Sequence, residues 1–329
     1  MTDRNPKVTI GLPVYNGAEF LAKALDSLLA QTFGDFELII SDNASDDDTG
    51  QIGRRYALRD PRVRYYLNAQ NIGAAPNFNR TVELSRGEFF MWAAHDDLWD
   101  PSYLENCVAA LENDPGVVLA CALTEDIDQD GALIVKHEEY RRATVALGEM
   151  ALDAAEPPRR FRDLIGLEHL CEPIFGLMRS RVLHSTPLHG KYADADRVLL
   201  AEFALYGRFH VIPKILFFHR EHVHRSVSLH PGRHERTVWM DPKKAGRILF
   251  PHFRELLEFA KCAGRPPLPF GQRLAAYLHL LPWTLRYRRR LFNDLTNALL
   301  LAARKATPEP VRRKLKKILG LDSGAGTTA

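Results

Sequence analysis

The sequence of 329 residues has few cysteines and no long apolar run. The cysteines form no Cys-X-X-Cys pair, which argues against a disulfide scaffold or a zinc finger and predicts reduced core residues. No apolar run is long enough to span a bilayer, and residues 1–10 lack the apolar core of an export signal. We therefore expect a cytoplasmic protein with four core thiols, at Cys107, Cys121, Cys171 and Cys262.

Two common nucleotide-binding motifs are also missing. The first apolar segment runs into GLPVYNGAEF, which contains no Gly-X-Gly-X-X-Gly pattern and no Lys or Arg. A P-loop lysine motif occurs nowhere in the chain. These absences count against a nicotinamide-dependent dehydrogenase and against an ATPase that cradles phosphates in a glycine-rich loop.

Charge is distributed unevenly along the chain. The net charge is +3, but the residues from 265 onward contain thirteen Lys and Arg against three Asp and Glu. Residues 1–264 are therefore acidic overall and the remainder is strongly basic. We expect the two parts to have different roles.

The first half alternates between apolar, β-branched segments and segments whose apolar residues recur at helical spacing. The strands are short and apolar, as is typical of a parallel sheet covered on both faces. The predicted strands are residues 7–15, 36–43, 63–68 and 88–94, and the helices cover 18–31, a segment ending near 58, and 75–85.

Polar residues follow the ends of these strands. Right-handed crossovers place the carboxyl ends of parallel strands at one edge, where ligands bind in open α/β sheets. Asn16, Asp42, Asn71 and the pair Asp96 and Asp97 all lie in such positions. We expect them to converge, and the Asp42 carboxylate could accept a hydrogen bond from a nucleobase N–H.

The second half is less regular. Asp100 is predicted to cap a helix that begins at Pro101, and residues 116–128 read as a strand. Residues 129 to about 161 are charged and weakly periodic, which predicts a loop or lid. Residues 173–183 and 210–220 read as strands, separated by a helix at 194–206 that ends at Gly207.

The adjacent acids Asp96 and Asp97 follow the apolar strand FFMW. Two carboxylates at a sheet edge repel each other unless a cation lies between or beside them. Mg²⁺ typically takes one or two carboxylates, several waters and substrate phosphates. The alternative is a helix cap, but Asp100 already supplies that cap, so the metal interpretation is favoured.

The segments PVYNGAEFLAKALDSLLAQTFGDFELIISDNASDDDT and NIGAAPNFNRTVELSRGEFFMWAAHDD resemble family 2 of the nucleotide-sugar glycosyltransferases over about the first 120 residues. The resemblance implies the GT-A fold, an α/β fold with a mostly parallel sheet flanked by helices. It implies an inverting, metal-dependent enzyme. The catalytic domain is expected at 1–230, with a nucleotide-binding half to about 115 and an acceptor half beyond it. A basic, mainly helical extension would follow at 231–329.

The resemblance also implies roles for individual residues. Asp42 would bind the nucleobase, Asp96 would lie nearer the ribose, and Asp97 would bind Mg²⁺ or Mn²⁺. Two positions depart from the common pattern, since Ala94 stands where many members have an acid and Phe78 where many have an arginine. The remaining donor-binding positions would be Pro13, Tyr15, Asn16, Asn71, Gly73 and Asn79.

A catalytic base is implied in the second half. The family places an acid eleven residues before a glycine, and Asp196 has this spacing to Gly207. Asp194 competes for the role. In the alternative interpretation Asp194 caps the helix and Asp196 is an ordinary surface acid.

Histidines and arginines cluster after the last strand in FFHREHVHRSVS. By the resemblance, Arg220 or His222 would neutralise the leaving nucleotide and His224 would reach the metal. A single histidine is usually only a polar surface residue, so the choice among them stays open.

The basic tail contains an amphipathic segment at 311–319, with Val311, Leu315, Ile318 and Leu319 on one face. Such a helix can lie on an anionic membrane surface, or it can pack on the catalytic domain. Nucleic acid is not expected as a partner, because no recognition motif accompanies the charge.

The resemblance therefore implies transfer of a sugar from a nucleoside-diphosphate sugar to a saccharide or lipid-linked acceptor. The expected setting is bacterial cell-surface synthesis, in the cytoplasm or at the inner face of the plasma membrane. The alternatives are a nucleotidyltransferase, or a sugar-nucleotide or membrane-binding protein without turnover.

Overall fold

The computed structural model describes residues 5–134, 150–166 and 171–306. These residues form one eight-stranded sheet covered by helices on both faces. The strands are β1 (Val8–Val14), β2 (Phe36–Asp42), β3 (Val63–Leu67), β4 (Phe89–Trp92), β5 (Leu98–Trp99), β6 (Val117–Ile127), β7 (Leu177–Arg179) and β8 (Arg208–Arg220).

The helices alternate with the strands at first and then dominate the C-terminal part. Two short 3₁₀ helices occur at Glu172–Phe175 and Pro242–Lys244. The α-helices are α1 (Ala18–Leu29), α2 (Thr49–Arg59), α3 (Ala74–Glu83), α4 (Tyr103–Asn113), α5 (Pro157–Gly166), α6 (Ser180–Leu183), α7 (Ala195–Tyr206), α8 (Ser226–Leu229), α9 (Arg233–Met240), α10 (Pro251–Gly264), α11 (Phe270–Leu278) and α12 (Leu280–Ala306).

The sheet has the strand order β3-β2-β1-β4-β7-β6-β8-β5. β1 to β4 run parallel to one another, and β6 and β8 run in the same direction. β7 is antiparallel to both its neighbours, and β5 is antiparallel to β8. Six of the eight strands therefore end at one edge of the sheet, which confirms the mixed, mostly parallel sheet expected from the sequence.

The strands read as continuous apolar runs because helices cover both faces. Every residue of β1 and β2 is buried. One face packs against α1, α2 and α4, and the other packs against α5, α7 and the C-terminal helices. The four strands and three helices predicted for the first half are all present, with ends that differ by a few residues.

Three predictions for the second half are wrong. The segment 173–183 was expected to be a strand, but only Leu177–Arg179 pairs in the sheet, between a 3₁₀ helix and α6. Of the loop or lid expected at 129 to about 161, residues 135–149 lie outside the described residues, and the expected end is wrong because α5 begins at Pro157. The helix expected at Pro101 begins at Tyr103, since the Asp100 carboxylate accepts the amide of Ser102 at 2.8 Å and closes a turn first.

The buried Glu37 connects the strands of the first half at the edge away from the polar loops. Its carboxylate accepts hydrogen bonds from Thr9 Oγ1 at 2.9 Å, Arg64 Nη1 at 2.8 Å and Arg86 Nη2 at 2.7 Å. Burial alone would raise the pKa of Glu37, but the bonds from Arg86 and Arg64 outweigh it and lower the pKa. The ionised carboxylate therefore stabilises the native sheet.

We expect Glu37→Gln to lower the free energy of unfolding by about 2 kcal/mol at neutral pH, because Gln leaves two arginines without their anion. The folded pKa lies below the unfolded value near 4.5. The stabilising effect is therefore complete above that pH and is lost as pH falls through the folded pKa. Denaturant unfolding of both proteins from neutral pH down to about pH 3 should show the difference shrinking. Glu112→Gln, at an exposed ion pair with Lys7, is the control; a pH-independent difference at Glu37 would contradict the assignment.

The C-terminal helices share a core with the sheet. α10 packs against α7, α11 packs against α5, and α12 packs against α10 and α11. Phe259, Trp283 and Tyr287 belong to the same apolar cluster as Trp92 and Phe203. The helical extension is thus present and tightly packed, while the domain division near residue 230 stays a prediction. The amphipathic segment at 311–319 lies outside the described residues.

The remaining expectations concern cysteine and membrane spans. All four cysteines are free; Cys107, Cys121 and Cys262 are buried, as expected of core residues, whereas Cys171 is only partly buried. Among the described residues, no helix combines the length and apolar character needed to cross a bilayer.

Candidate active site

The loops after β1 and β2 are tied together at the carboxyl edge of the sheet. Asn16 adopts a left-handed conformation with φ of 51°, which asparagine tolerates better than most residues. Its amide donates to Ser45 Oγ at 2.9 Å, and its side-chain oxygen accepts the amide of Asp46 at 3.1 Å. Next to it Tyr15 is 44% exposed, whereas Pro13 is buried within β1. Tyr15 and Asn16 are therefore accessible to a ligand at this edge.

Asp42 ends β2 and is completely buried. One carboxylate oxygen accepts the amide of Ser45 at 2.9 Å and the other accepts the Tyr65 hydroxyl at 2.6 Å. Burial is the main cause that raises the pKa of Tyr65 well above its usual value, and the hydrogen bond to Asp42 raises it further. The Tyr65 hydroxyl therefore keeps its proton and donates it to the hydrogen bond with Asp42. Asp42 lies where the sequence predicted, but a nucleobase would have to share or displace one of these partners, and its role in base binding stays a prediction.

Asn71 and Gly73 lie in the loop after β3 and belong to a network of side-chain amides. Asn71 Oδ1 accepts the amide of Gly73 at 2.9 Å and a bond from Asn43 Nδ2 at 3.0 Å. Gly73 has φ of 89°, and a Cβ there would lie 2.8 Å from the carbonyl oxygen of Met240. The network continues through Asn68 and Asn77, which sequence reasoning missed although both are amide side chains close to Asn71 along the chain.

Asn79 has a different position from the other predicted donor-binding residues. Its side-chain amide forms two hydrogen bonds with the backbone of His189, one in each direction, at 2.9 and 3.0 Å. Asn79 thus connects α3 to the loop that leads into α7. Any contact between Asn79 and a donor stays a prediction.

The acid pair lies between β4 and β5, where the chain crosses the carboxyl edge to pair with β8. Asp97 is 2% exposed, and its Oδ1 accepts the backbone amide of Arg220 at 2.9 Å. Asp96 is partly buried, and its Oδ2 lies 2.9 Å from His222 Nε2. The imidazole ring of His95 fills the space beside Gly17, where a Cβ would collide with it. The pair is therefore held against both the first loop and the end of β8.

The two carboxyl groups have opposite electrostatic environments. Burial is the main cause that raises the pKa of Asp97, and the negative charge of Asp96 raises it further. Burial would also raise the pKa of Asp96, but the nearby His95 and the bond from His222 outweigh it and lower the pKa. Asp97 Oδ2 has no hydrogen-bond partner within the described ranges. A buried carboxylate with a free oxygen beside a second carboxylate suits a hard divalent cation, so these residues fit Mg²⁺ or Mn²⁺.

Arg220 is 1% exposed, and its predicted contact with a donor diphosphate stays a prediction. Its Nε donates to the carbonyl of Asp96 at 2.7 Å, and its Nη1 donates to the carbonyls of Asp128 and Gln129 at 2.8 and 3.0 Å. Its guanidinium also lies 5.0 Å from the centre of the Phe20 ring. Nη2 is buried and has no partner among the described residues. Arg220 thus holds in place the segment between β4 and β5 that carries Asp96 and Asp97, which we call the acid loop. Its Nη2 group is the guanidinium nitrogen that a ligand could still contact.

We expect Arg220→Lys to weaken metal-dependent nucleoside-diphosphate binding by about tenfold, because a single ammonium cannot reach all three carbonyls. Arg62→Lys is the matched control, since Arg62 also contacts a backbone carbonyl and stacks on a ring, Phe36, at the opposite edge. Titration calorimetry with and without Mn²⁺ and thermal unfolding check both variants. If both variants lose the same stability and Arg220→Lys still binds the nucleoside diphosphate with unchanged metal-dependent affinity, a positioning role for Arg220 is contradicted.

The two histidines predicted near the donor differ in exposure. His222 is nearly buried, packs 4.7 Å from the Phe20 ring and contacts Asp96, while its Nδ1 has no partner in the described part of the chain. His224 is exposed, with its ring 6.4 Å from that of His222. His222 is thus part of the acid-loop structure, and the metal-binding role of His224 stays a prediction.

A second group of possible metal ligands lies at the ends of β6 and β8. The ligand atoms of Asp126, His219 and Glu221 lie within 4.8 Å of one another. Arg225 contacts both His219 Nε2, at 3.0 Å, and Glu221. Because a guanidinium only donates, His219 Nε2 accepts and Nδ1 donates to Asp126 at 3.0 Å. Sequence reasoning missed this group, since only the pairing of Asp126 with His219 across β6 and β8 brings it together.

The two candidate bases occupy clearly different environments at the start of α7. Asp194 has φ of 61° and forms ion pairs with Arg233 and Arg236, at 2.5 and 3.7 Å. Arg233 also pairs with the buried Glu255 at 2.6 Å. The negative charge of the Asp194 carboxylate is therefore already balanced by arginines.

Asp196 is partly buried, and its Oδ1 accepts the amide of Arg197 at 2.8 Å. It forms no ion pair within 4 Å in the part of the chain that the structure describes. Its charge acts on the buried His189, whose pKa is lowered by burial and partly restored by Asp196. Asp196 is thus the candidate whose carboxylate forms no ion pair with an arginine of the described segments.

Comparison with known sequences identifies one matching family. Residues 9–182 match the sequence model of glycosyl transferase family 2. An uncharacterized glycosyltransferase of Rickettsia typhi is 35% identical over 127 residues, which cover 38% of this chain and 38% of that protein. The chondroitin synthase of Escherichia coli is 35% identical over 133 residues, 40% of this chain and 19% of that protein. These alignments thus span well under two thirds of the relatives.

Solved structures share the fold. TarS of S. aureus, residues 1–349 in complex with UDP-GlcNAc, superposes with a TM-score of 0.58 at 17% identity, covering 90% of this chain and 81% of that one. The mannosyltransferase PcManGT of Pyrobaculum calidifontis, in complex with GDP-Man and Mn²⁺, gives a TM-score of 0.53 at 21% identity, covering 97% and 81%. At these low identities the likeness shows the fold, which is the GT-A fold expected from the sequence.

Proposed function

This chain belongs to glycosyl transferase family 2, and we propose that it transfers a sugar with inversion from a nucleoside-diphosphate sugar to an acceptor hydroxyl. The observation that carries the proposal is the pair of adjacent carboxylates at the carboxyl edge of the sheet, with Asp97 buried and Asp96 partly buried. Loops from β1, β2 and β3 surround this edge with accessible polar groups. An acidic pair there is suited to a cation that carries a diphosphate.

The donor would bind along this edge. Tyr15 and Asn16 would line the nucleoside pocket, with Asp42 and the loop of Asn71 and Gly73 behind them. Asp96 would face the ribose and Asp97 would hold Mg²⁺ or Mn²⁺, in the order that the family resemblance implies. When bound, that ion supplies positive charge that stabilises the departing nucleoside diphosphate.

The acceptor would approach from the side of α7. Asp196 would remove the proton of the acceptor hydroxyl, because a hydroxyl is a poor nucleophile at neutral pH. Attack from the face opposite the leaving group then inverts the anomeric centre. We place the reaction in bacterial cell-surface polysaccharide or glycolipid synthesis, on a saccharide or lipid-linked acceptor at the inner face of the plasma membrane.

The first test is a thermal-shift screen of nucleoside diphosphates with and without Mn²⁺. A ligand that binds the native state raises the unfolding temperature by mass action. We therefore expect the nucleoside diphosphate with the preferred base to raise the unfolding temperature when Mn²⁺ is present. The matching sugar nucleotide should then release nucleoside diphosphate when acceptor sugars are added. Release of pyrophosphate from a nucleoside triphosphate and a sugar phosphate would instead indicate a nucleotidyltransferase. Metal-dependent binding without any turnover would indicate a binding protein.

A further inference from the structure

Helices α11 and α12 expose a row of large apolar side chains that no other described residue covers. Phe270 is 82% exposed, and Leu285, Phe292 and Leu299 are 64%, 63% and 70% exposed. The members recur at spacings of three, four and seven residues, so they lie on one side of each helix. We call this surface the apolar stripe; it consists of Phe270, Leu274, Leu278, Leu281, Leu285, Phe292 and Leu299.

The apolar stripe is not the side of α12 that packs on the protein. Trp283, Tyr287, Leu291 and Ala298 lie on another face and are buried against the core. The carboxylate of Asp294 on the same face accepts the amide of His252 at 2.7 Å, which anchors the helix to α10. α12 is therefore held in a fixed orientation with the apolar stripe turned outward. Single exposed leucines are ordinary, but seven exposed large apolar side chains at helical spacing on two consecutive helices indicate a contact surface.

The charge around the apolar stripe has one sign. Arg288 and Arg289 lie on either side of the row between Leu285 and Phe292, and both are exposed. Arg286 and Arg290 are also exposed residues, although both guanidinium groups lie over the Tyr287 ring and Arg286 Nη1 donates to the carbonyl of Gly166. Asp294 is the single acid in 266–306, and it is buried against His252. Any partner must therefore cover apolar groups and also neutralise arginines.

The combination of exposed apolar side chains and arginines discriminates among the partners that could cover the apolar stripe. A second copy of the chain would place Arg288 and Arg289 against the same arginines, with no exposed acid on α11 or α12 to pair with them. The chain's own residues 307–329 would also bring like charges together, since 311–319 contains five Lys and Arg. An anionic lipid surface satisfies both requirements, because leucine and phenylalanine enter the acyl boundary while arginines reach the headgroups.

We propose that the apolar stripe of α11 and α12 docks on an anionic membrane, with Arg288 and Arg289 at the level of the lipid headgroups. The surface belongs to the packed body of the protein. It is distinct from the amphipathic segment at 311–319. The carboxyl edge of the sheet would then be held at a fixed angle to the bilayer.

The test is co-sedimentation of the full chain with vesicles of phosphatidylcholine containing about 30% phosphatidylglycerol, compared with phosphatidylcholine alone. We expect binding to the anionic vesicles that weakens as salt is added. The variant Leu285→Ser, Phe292→Ser, Leu299→Ser should reduce the partition coefficient at least tenfold. The variant Arg288→Gln, Arg289→Gln should reduce both binding and its salt dependence.

Two controls separate the apolar stripe from exposed apolar groups elsewhere and from the segment at 311–319. Leu58→Ser, Leu133→Ser, Ile215→Ser removes three exposed apolar side chains outside the stripe and should bind like wild type. Lys314→Gln, Lys316→Gln, Lys317→Gln tests the segment at 311–319. If only this last variant loses binding, the apolar stripe is not the docking surface.

The proposal also fails if neutral vesicles bind equally, or if analytical ultracentrifugation shows a dimer that the three-serine variant of the stripe dissociates. Vesicle binding needs no donor, so its outcome is independent of the proposed glycosyl transfer.

Discussion

Asp97→Asn is expected to abolish metal-dependent binding of the nucleoside diphosphate while the fold remains intact. Asparagine keeps an oxygen for the amide of Arg220, so the acid loop retains its 2.9 Å contact. It lacks the negative charge that a hard divalent cation needs. Because burial already raises the pKa of Asp97, removing its charge should not lower the free energy of unfolding. Titration calorimetry with the preferred nucleotide, with and without Mn²⁺, measures the effect.

The control for this prediction is Asp114→Asn, which removes a carboxylate paired with Arg208 at the amino edge of β6 and β8. That variant should bind nucleotide and Mn²⁺ like the wild type. A second comparison, Glu221→Gln, tests the group of Asp126, His219 and Glu221. If Glu221→Gln removes metal dependence and Asp97→Asn does not, the ion binds at the ends of β6 and β8 instead of at the acid pair.

Asp196→Asn is expected to lower the turnover of sugar transfer by about 10²- to 10⁴-fold, the range for loss of a general base. Donor affinity should hardly change, because Asp196 acts on the acceptor hydroxyl in the transition state. Steady-state kinetics with saturating donor, together with calorimetry for donor binding, separates the two effects. A parallel loss of donor affinity would mean that Asp196 binds the donor instead.

Asp194→Asn is the matched control on the same turn of the chain. Asp194 is already paired with Arg233, which in turn pairs with Glu255, so its loss should lower stability more than turnover. If Asp194→Asn stops transfer and Asp196→Asn does not, the assignment is off by two residues. If neither changes turnover, the base lies elsewhere in the acceptor half.

The pattern of the first half was predictable because it is local. Continuous apolar runs predict buried parallel strands, and the loops after β1, β2, β3 and β4 follow from chain direction alone. Asn16, Asp42, Asn71 and the acid pair are therefore placed at one edge by chain order and hydrophobic pattern. Gly73 was singled out only through the family resemblance, and the structure supplies the reason for glycine there, a φ of 89°.

The contacts of particular side chains were not predictable in the same way. Arg220 and Asn79 are polar residues near expected ligands, and nothing in the local pattern indicates that they bond to backbone carbonyls and to His189. Those partners are more than ninety residues away along the chain. A side chain's nearest polar partner depends on which loops meet, and that depends on packing.

The sequence by itself determined the family, the parallel sheet with its polar edge, and the position of the acid pair at the end of β4. Tertiary structure decided the insertion of antiparallel β7 between β4 and β6, and it decided the register that sets Asp126 beside His219. It also decided which face of α12 is buried and which arginines remain exposed. The physical reason is that periodicity reports only whether a side chain is apolar, whereas pairing and packing across distant segments determine what that side chain meets.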